Sequence, residues 1–174
     1  ARVDLLFGTD YFFTTAYGLE THEDGSPKWN GEDGRRAAPG ADYGLAMPQL
    51  YVEMYAPLGP GFTVKAGHFY TTLGFESVMS PENFFYSHAY TMQYGEPFTH
   101  TGILFDFPLS RNLRMSAGIT RGWDNFNDNN NEAGFLGGFA WTSDDCNTTF
   151  DFAIASGNED DAARRSRTGY SMVL

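Results

Sequence analysis

The chain has no stretch approaching 18 consecutive apolar residues, and its mean hydropathy is negative, so helical membrane spans are excluded. Cysteine is almost absent. Cys146 stands alone, which rules out an intrachain disulfide and a thiolate metal cluster while leaving an oxidising compartment open. Basic residues are scarce as well: 11 Lys and Arg face 22 Asp and Glu, a net charge of −11, and nucleic-acid phosphates would find no basic surface to bind. What is present in excess is aromatic side chains, at 17%, and glycine, with 20 copies in 174 residues. That combination suits closely packed strands with rings at lipid interfaces, and 41% hydrophobic content is enough for a core.

The order of segments narrows the class. Long polar stretches at Glu20 to Asp42, Thr72 to Phe98, Asn125 to Asn131 and Asn158 to Arg167 alternate with three short turns. These turns are Pro57 to Gly61, Pro108 to Asn112 and Ser143 to Asn147, rich in Pro, Gly, Asp and Asn. Between them run stretches of roughly ten residues that switch between apolar and small or polar side chains, the pattern of a transmembrane β-barrel. A soluble antiparallel sandwich also alternates, but it seldom sorts its connections into one long side and one short side. The expected fold is therefore all-β: an antiparallel transmembrane barrel, with residues 1–174 forming a partial barrel domain of about eight strands from a larger barrel. The chain opens directly in a strand and stops inside one, which is read here as truncation at both ends.

Period-two alternation assigns faces. The first strand is expected over Arg2 to Phe13, with Val3, Leu5, Phe7, Thr9, Tyr11 and Phe13 toward lipid and Asp4, Leu6, Gly8, Asp10 and Phe12 toward the lumen. Lipid-facing sets follow at Leu50, Val52, Met54 and Ala56, then at Phe62, Val64 and Ala66, and at Thr101, Ile103, Phe105 and Phe107. They continue at Leu113, Met115, Ala117 and Ile119, at Phe135, Gly137, Phe139 and Trp141, and at Phe150, Phe152 and Ile154. The lumen receives Gln49, Tyr51, Glu53, Tyr55, Thr63, Lys65, Leu104, Asp106, Arg114, Ser116 and Asp151. A basic residue on the lipid face near the midplane would cost about 2 to 4 kcal/mol, which is enough to choose this register. Arg121 falls on the outward parity near the long-loop end, where it either meets lipid phosphates or follows a bulge at Gly122.

Several sequence words occur in order: Gly67 to Glu76 (GHFYTTLGFE), Pro81 to Ser87 (PENFFYS), Glu96 to Gly102 (EPFTHTG) and Gly122 to Asp124 (GWD). Together they resemble the β-barrel porin-2 family of OmpL-like porins, over about Tyr43 to Gly157. The resemblance implies a bacterial outer-membrane barrel that passes small hydrophilic solutes or ions by diffusion, without chemistry or a cofactor. Outer-membrane lipids are the implied surroundings, nucleic acid is not a partner, and a homo-oligomer is expected only by analogy with other porins. The alternative is a non-conducting barrel that anchors the envelope or displays loops, and an outer-membrane hydrolase is the weakest reading.

Candidate pore-lining or constriction residues are Asp4, Asp10, Glu53, Lys65, Glu76, Glu82, Tyr86, His88, Asp106 and Arg114. Segment 72–98, with Phe75, Phe84, Phe85, Tyr86, Tyr90 and Tyr94, is expected to fold inward as a constriction loop, its rings packed and its polar groups edging the pore. The competing reading is a self-packed cap on the outer surface. Glu76 and Glu82 as paired catalytic acids form a weak signal, because acid pairs are common in acidic loops. His68, His88 and His100 lack compact metal spacing. Asp124, Asp128 and Glu132 offer oxygen ligands, but the ordered spacing and glycine of a calcium loop are absent. Ser77, Ser80 and Ser87 have no nucleophile-elbow context.

Overall fold

The computed structural model describes residues 1–22, 24–30, 43–159 and 165–174. Eight antiparallel strands lie in one sheet in chain order: β1 (Arg2–Gly8), β2 (Gly44–Ala56), β3 (Phe62–Tyr70), β4 (Thr99–Pro108), β5 (Leu113–Thr120), β6 (Gly134–Thr142), β7 (Thr149–Asn158) and β8 (Ser166–Val173). The sheet is open, with β1 and β8 at its edges. No helix of the described residues is long and apolar enough to cross a membrane, which says nothing of strands.

Register threads the outward side chains into lateral rows. One row runs Met54, Val64, Phe105, Ala117, Gly137, Ile154 and Tyr170. The next runs Phe107, Met115, Phe139, Phe152 and Met172, and Phe62 joins it through ring contact with Phe107 at 5.4 Å. In these rows Met54 (63%), Phe105, Met115, Phe139, Tyr170 and Met172 are exposed and most of the rest are half-buried, while the opposite face buries Leu104 and Leu136 completely or nearly so. Apolar side chains thus occupy both faces, but only one face is covered by the protein itself.

The sheet is strongly curled. Gly74 lies four residues beyond the end of β3, yet its N–H donates to Ser171 Oγ on β8 at 3.0 Å. Five strand spacings in a flat sheet would separate these strands by about 24 Å, whereas four extended residues reach at most about 14 Å. Pairing adds a further displacement along the strands, because the neighbours of Ser171 run through Ala153, Gly138, Ser116 and Asp106 to Thr63, well down β3 from Tyr70. Curvature combined with such stagger is the geometry of a barrel wall. The core sits on the concave side and consists of Phe69, Leu73, Leu104, Leu136, Ala153 and Ala155, with Tyr51 and Trp123 packed against it.

The first strand is shorter than its alternation suggests. It ends at Gly8, and Thr9–Thr14 forms a 3-10 helix. Aromatic packing overrides the strand pattern there: the Tyr11 ring covers Gly44, where an added Cβ would lie 2.5 Å from it, and Phe13 lies against Phe98 and His88. The Thr14 and Thr15 hydroxyls donate back to the carbonyls of Tyr11 and Phe12, closing the turn. Asp10 is consequently on a helix, beside Thr9, and does not share the concave strand face.

Upper β2 shows how polar groups are satisfied. Its pairing slips between Asp4 opposite Gln49 and Leu6 opposite Ala46, so Met47 and Pro48 oppose Leu5 alone. Proline fits such a bulge because it has no N–H to leave unpaired. Beyond Leu50 this strand outruns β3, and its bare edge is capped by side chains: Met47 N–H donates to Glu20 Oε1 at 2.7 Å and Leu45 N–H to Asn30 Oδ1 at 2.7 Å. Glu20 is fully buried, its other oxygen accepts Ala16 N–H at 2.9 Å, and burial pushes its carboxyl above the usual range. The sequence segment Glu20 to Asp42 therefore begins as a built strap, while its remainder lies outside the described residues.

Candidate functional site

Every Asp, Glu, Lys and Arg within the eight strands lies on the concave face. The acids are Asp4, Glu53, Asp106 and Asp151, and the bases are Arg2, Lys65, Arg114 and Arg167. The pairing places each in register with concave neighbours: Lys65 stands between Glu53 and Leu104, and Asp151 is opposite Ala140, which is opposite Arg114. None of the exposed outer rows carries such a residue. Signs are balanced on this wall, so the chain's negative excess belongs to the connections.

These groups form local pairs. Arg2 and Asp4 meet at 2.7 Å, with Gln49 Nε2 donating to the same carboxylate at 2.6 Å. Arg114 reaches Asp106 at 2.7 Å through Nη2 and 3.1 Å through Nε. Lys65 is 4.0 Å from Glu53, and its ammonium lies 4.8 Å from the Tyr51 ring centroid. Lys65, Thr72, Asp106, Arg114, Ser116 and Asp151 border one cavity of about 250 Å³. Most of these charges keep substantial solvent contact, with 48% of the Glu53 side chain and 65% of the Arg114 side chain exposed. Such exposure avoids the cost of burying isolated charge and defines a wet surface.

Segment 71–98 crosses that wall. Thr71 N–H donates to Phe98 O at 2.9 Å, closing its base, and Leu73, only 4% exposed, enters the concave core. Gly74 has φ +83°, and Glu96 packs so near that an added Cβ would lie 2.0 Å from Oε2, so this crossing needs glycine. The segment holds two 3-10 and α turns, Ser80–Glu82 and Tyr90–Gly95, whose packing anchors are Val78 and Met92. A cavity of about 270 Å³ lies between Tyr70, Leu73, Val78, Met92 and Phe98. Burial, aided by neighbouring Glu76, raises the Glu96 carboxyl.

The far end of the segment is clamped by Asp124. One of its oxygens accepts Phe98 N–H at 2.9 Å, Thr99 N–H at 2.8 Å and the Thr99 hydroxyl at 3.2 Å. Burial dominates over these bonds, and with the nearby Glu159 carboxylate it raises Asp124 to about 6. The residue adopts φ 54°, which Asp tolerates better than most side chains. Glu159 in turn accepts Trp123 N–H at 2.8 Å.

The residues singled out from sequence fall into separate groups. Glu53, Lys65, Asp106 and Arg114 come together along one stretch of wall, Asp4 pairs with Arg2 and Gln49 on β1, and Asp10 is on the helix. Glu76 and His88 meet at 3.5 Å, and Glu76 also accepts Ala89 N–H at 2.8 Å. Glu82 takes the Ser77 hydroxyl at 2.6 Å, and Tyr86 is 87% exposed. The expected packing of the rings is not what the structure shows: Phe75, Phe84, Phe85, Tyr86, Tyr90 and Tyr94 are all exposed. Leu73, Val78 and Met92 are the buried anchors. Phe84 and Phe85, and Tyr90 and Tyr94, instead contact each other.

Sequence reasoning left Asp124 among solvated acids and gave no role to Glu20, Arg167 or Leu73. The alternation did place Asp151 inward, which was the available signal for its position on the same concave row as Arg114, with Ala140 between them. Histidines do not converge: His68 Nδ1 is 2.8 Å from the Thr101 hydroxyl, and His100 lies between Gly122 O and Thr71 Oγ1. No group of three or more residues suited to hold a metal occurs among the described residues. Asp128 Oδ1 accepts Asn130 and Asn131 N–H groups, organising its own turn.

No curated protein and no solved structure matches the chain. A family model does: the curled antiparallel wall, with ionised side chains on one face and apolar rows on the other, belongs to a chain that matches over residues 1–174 and is thereby a member of the family described as beta-barrel porin-2, OmpL-like.

Proposed function

We propose that this protein is a porin of the bacterial outer membrane that lets small hydrophilic solutes or ions diffuse through a water-filled barrel, without catalysis or a cofactor. The observation that carries this reading is the segregation of charge: all eight ionised strand residues share the concave face, and the opposite face presents uninterrupted apolar rows. Hydrocarbon tolerates the second surface and water the first. Family membership supports the same assignment.

In this reading Glu53, Lys65, Asp106, Arg114 and Asp151 line the path, and segment 72–98 narrows it. Opposed charges on the wall create a transverse field that orients dipolar solutes. The crossing segment contributes Glu76, Glu82 and Glu96 and contains no Lys or Arg, so it biases the opening toward cations. Planar-bilayer recording of the purified protein tests this: stepwise conductance that grows with salt is expected, with cation preference reduced by Glu76→Gln. Absence of conductance after membrane insertion would favour a non-conducting barrel, and unchanged selectivity would remove Glu76 from the path.

A further inference from the structure

The crossing segment leaves a space that its anchoring does not require. It approaches from the concave side, since Leu73 enters the core and Gly74 N–H is held by Ser171, which lies in register with concave Ala153. The cavity of about 270 Å³ is left between the outgoing stretch Leu73 to Val78 and the returning residues Met92 and Glu96 to Phe98. Its walls are largely apolar: Leu73, Val78 and Met92 are buried and Phe98 is half-buried.

Charge at this cavity is of one sign. Glu76 and Glu96 border it, and among the described residues no Lys, Arg, His, Asn or Gln side chain does. Glu96 packs its Oε2 against Gly74, and neither of its oxygens takes a hydrogen bond or an ion pair among the described residues. Glu76 differs, because its Oε2 accepts Ala89 N–H and meets His88. The Ser77 hydroxyl is spent on Glu82, outside the cavity. Burial and the nearby Glu76 carboxylate both raise Glu96, the mark of a negative charge short of a partner. A half-buried carboxylate without a donor is a costly group, and a ligand that brings the donor removes that cost.

We propose that this cavity binds an organic ammonium ion, which donates its N–H groups to Glu96 and lays its alkyl or aryl body among Leu73, Val78, Met92 and Phe98. An apolar cavity of about 150 Å³ holds benzene, so about 270 Å³ has room for a body of about four to six carbons beside the ammonium. An inorganic cation would gain the carboxylate but exchange its water shell for walls that offer little oxygen, and no group of three or more metal-holding residues occurs among the described residues. Anions are repelled by the two carboxylates. The site itself stands on the fold alone, and its use in selecting small amines as solutes rests on the porin reading.

Ligand-observed NMR of the full chain in detergent, titrated with n-butylammonium and with neutral 1-butanol, tests the site. Butylammonium is expected to bind about tenfold tighter than butanol, the order by which a charge-assisted hydrogen bond exceeds a neutral one. Glu96→Gln should erase that difference while leaving 1-butanol bound as before, which a collapsed cavity would not do. Asp144→Asn, which removes one negative charge from a short turn at the other end of the wall, should leave the difference intact. Equal binding of the two probes by the unaltered chain, or a difference that survives Glu96→Gln or is lost equally in Asp144→Asn, would overturn the site. Loss of both probes in Glu96→Gln would overturn it too, giving that carboxylate a structural role. In bilayer recording, butylammonium should reduce the potassium current through the unaltered protein and not through Glu96→Gln. A protein that conducts without preferring butylammonium would overturn the cavity alone, whereas one that prefers butylammonium without conducting would overturn the porin reading alone.

Discussion

The strand wall and the segment that crosses it obey different rules. On β2 to β7 a side chain's face follows from its position, because the backbone repeats every two residues and neighbouring strands hold that repeat in register. Segment 71–98 has no repeat, and its shape is set by a few anchors: Leu73 in the core, Gly74 on Ser171 and the carboxylate of Asp124 on Phe98 and Thr99. The wall distributes its stability over many equivalent pairs, while the crossing segment concentrates it in single residues. Substitutions should therefore be tolerated in one region and costly in the other.

The largest effect is expected at Asp124. Alanine there leaves two buried N–H groups and a hydroxyl without their acceptor and occupies a positive φ, a loss of about 3 kcal/mol or more. Denaturant unfolding of the detergent-solubilised protein measures it. Asparagine keeps an acceptor and tolerates the backbone, so Asp124→Asn should cost much less. Its pH dependence sharpens the test. The folded-state value near 6 lies above the ordinary aspartate value of about 3.9, so this group's contribution is full below that value and is lost as pH rises through about 6. Asp124→Asn should flatten the stability profile across that interval, and an unchanged slope would show that another group titrates there.

Next comes Leu73→Ala. Removing a side chain buried against Leu104, Leu136 and Ala153 should cost about 2 to 3 kcal/mol. If the crossing segment narrows a pore, the same change should raise single-channel conductance and its noise. Equal conductance with reduced stability would keep Leu73 as an anchor and remove the segment from the path.

The smallest effect is expected on the wall itself. Glu53→Gln separates a pair already 4.0 Å apart and largely exposed, so its stability cost should stay below about 1 kcal/mol. Ion selectivity should still move, because a balanced wall becomes net positive at that level. A cost as large as that of Asp124→Ala would break the contrast between the two regions.

What was legible in the sequence divides along the same line. The faces of Leu50 to Ala56, Phe62 to Ala66, Ile103 to Phe107 and Leu113 to Ile119 could be read because charge on the wrong side is expensive. At Gly122, where a bulge is one of the two readings of Arg121, the structure has a turn just past the end of β5 at Thr120, and the pairings of β5 run without a shift. Thr9 to Phe13 alternates just as well, yet forms a helix, since Tyr11 and Phe13 find partners on Gly44 and Phe98 that lie far away in sequence. For the same reason exposed rings and buried Leu73, Val78 and Met92 could not be sorted within segment 72–98. Asp124 looked like one acid among several because its partners, Phe98 and Thr99, are on another strand's entry.

The central claim is that adjacent residues on one strand face water and hydrocarbon respectively. Ser116 and Ala117 on β5 provide the closest pair, one on the concave row with Asp106 and Gly138, the other on the outer row with Phe105 and Gly137. With exposed Cys146 replaced by serine, single cysteines at these two positions can be treated with a charged, water-soluble thiol reagent during bilayer recording. Rapid modification and a stepwise fall in conductance are expected for Ser116→Cys, with Ala117→Cys unreactive. Reaction at Ala117 with Ser116 protected would contradict the account.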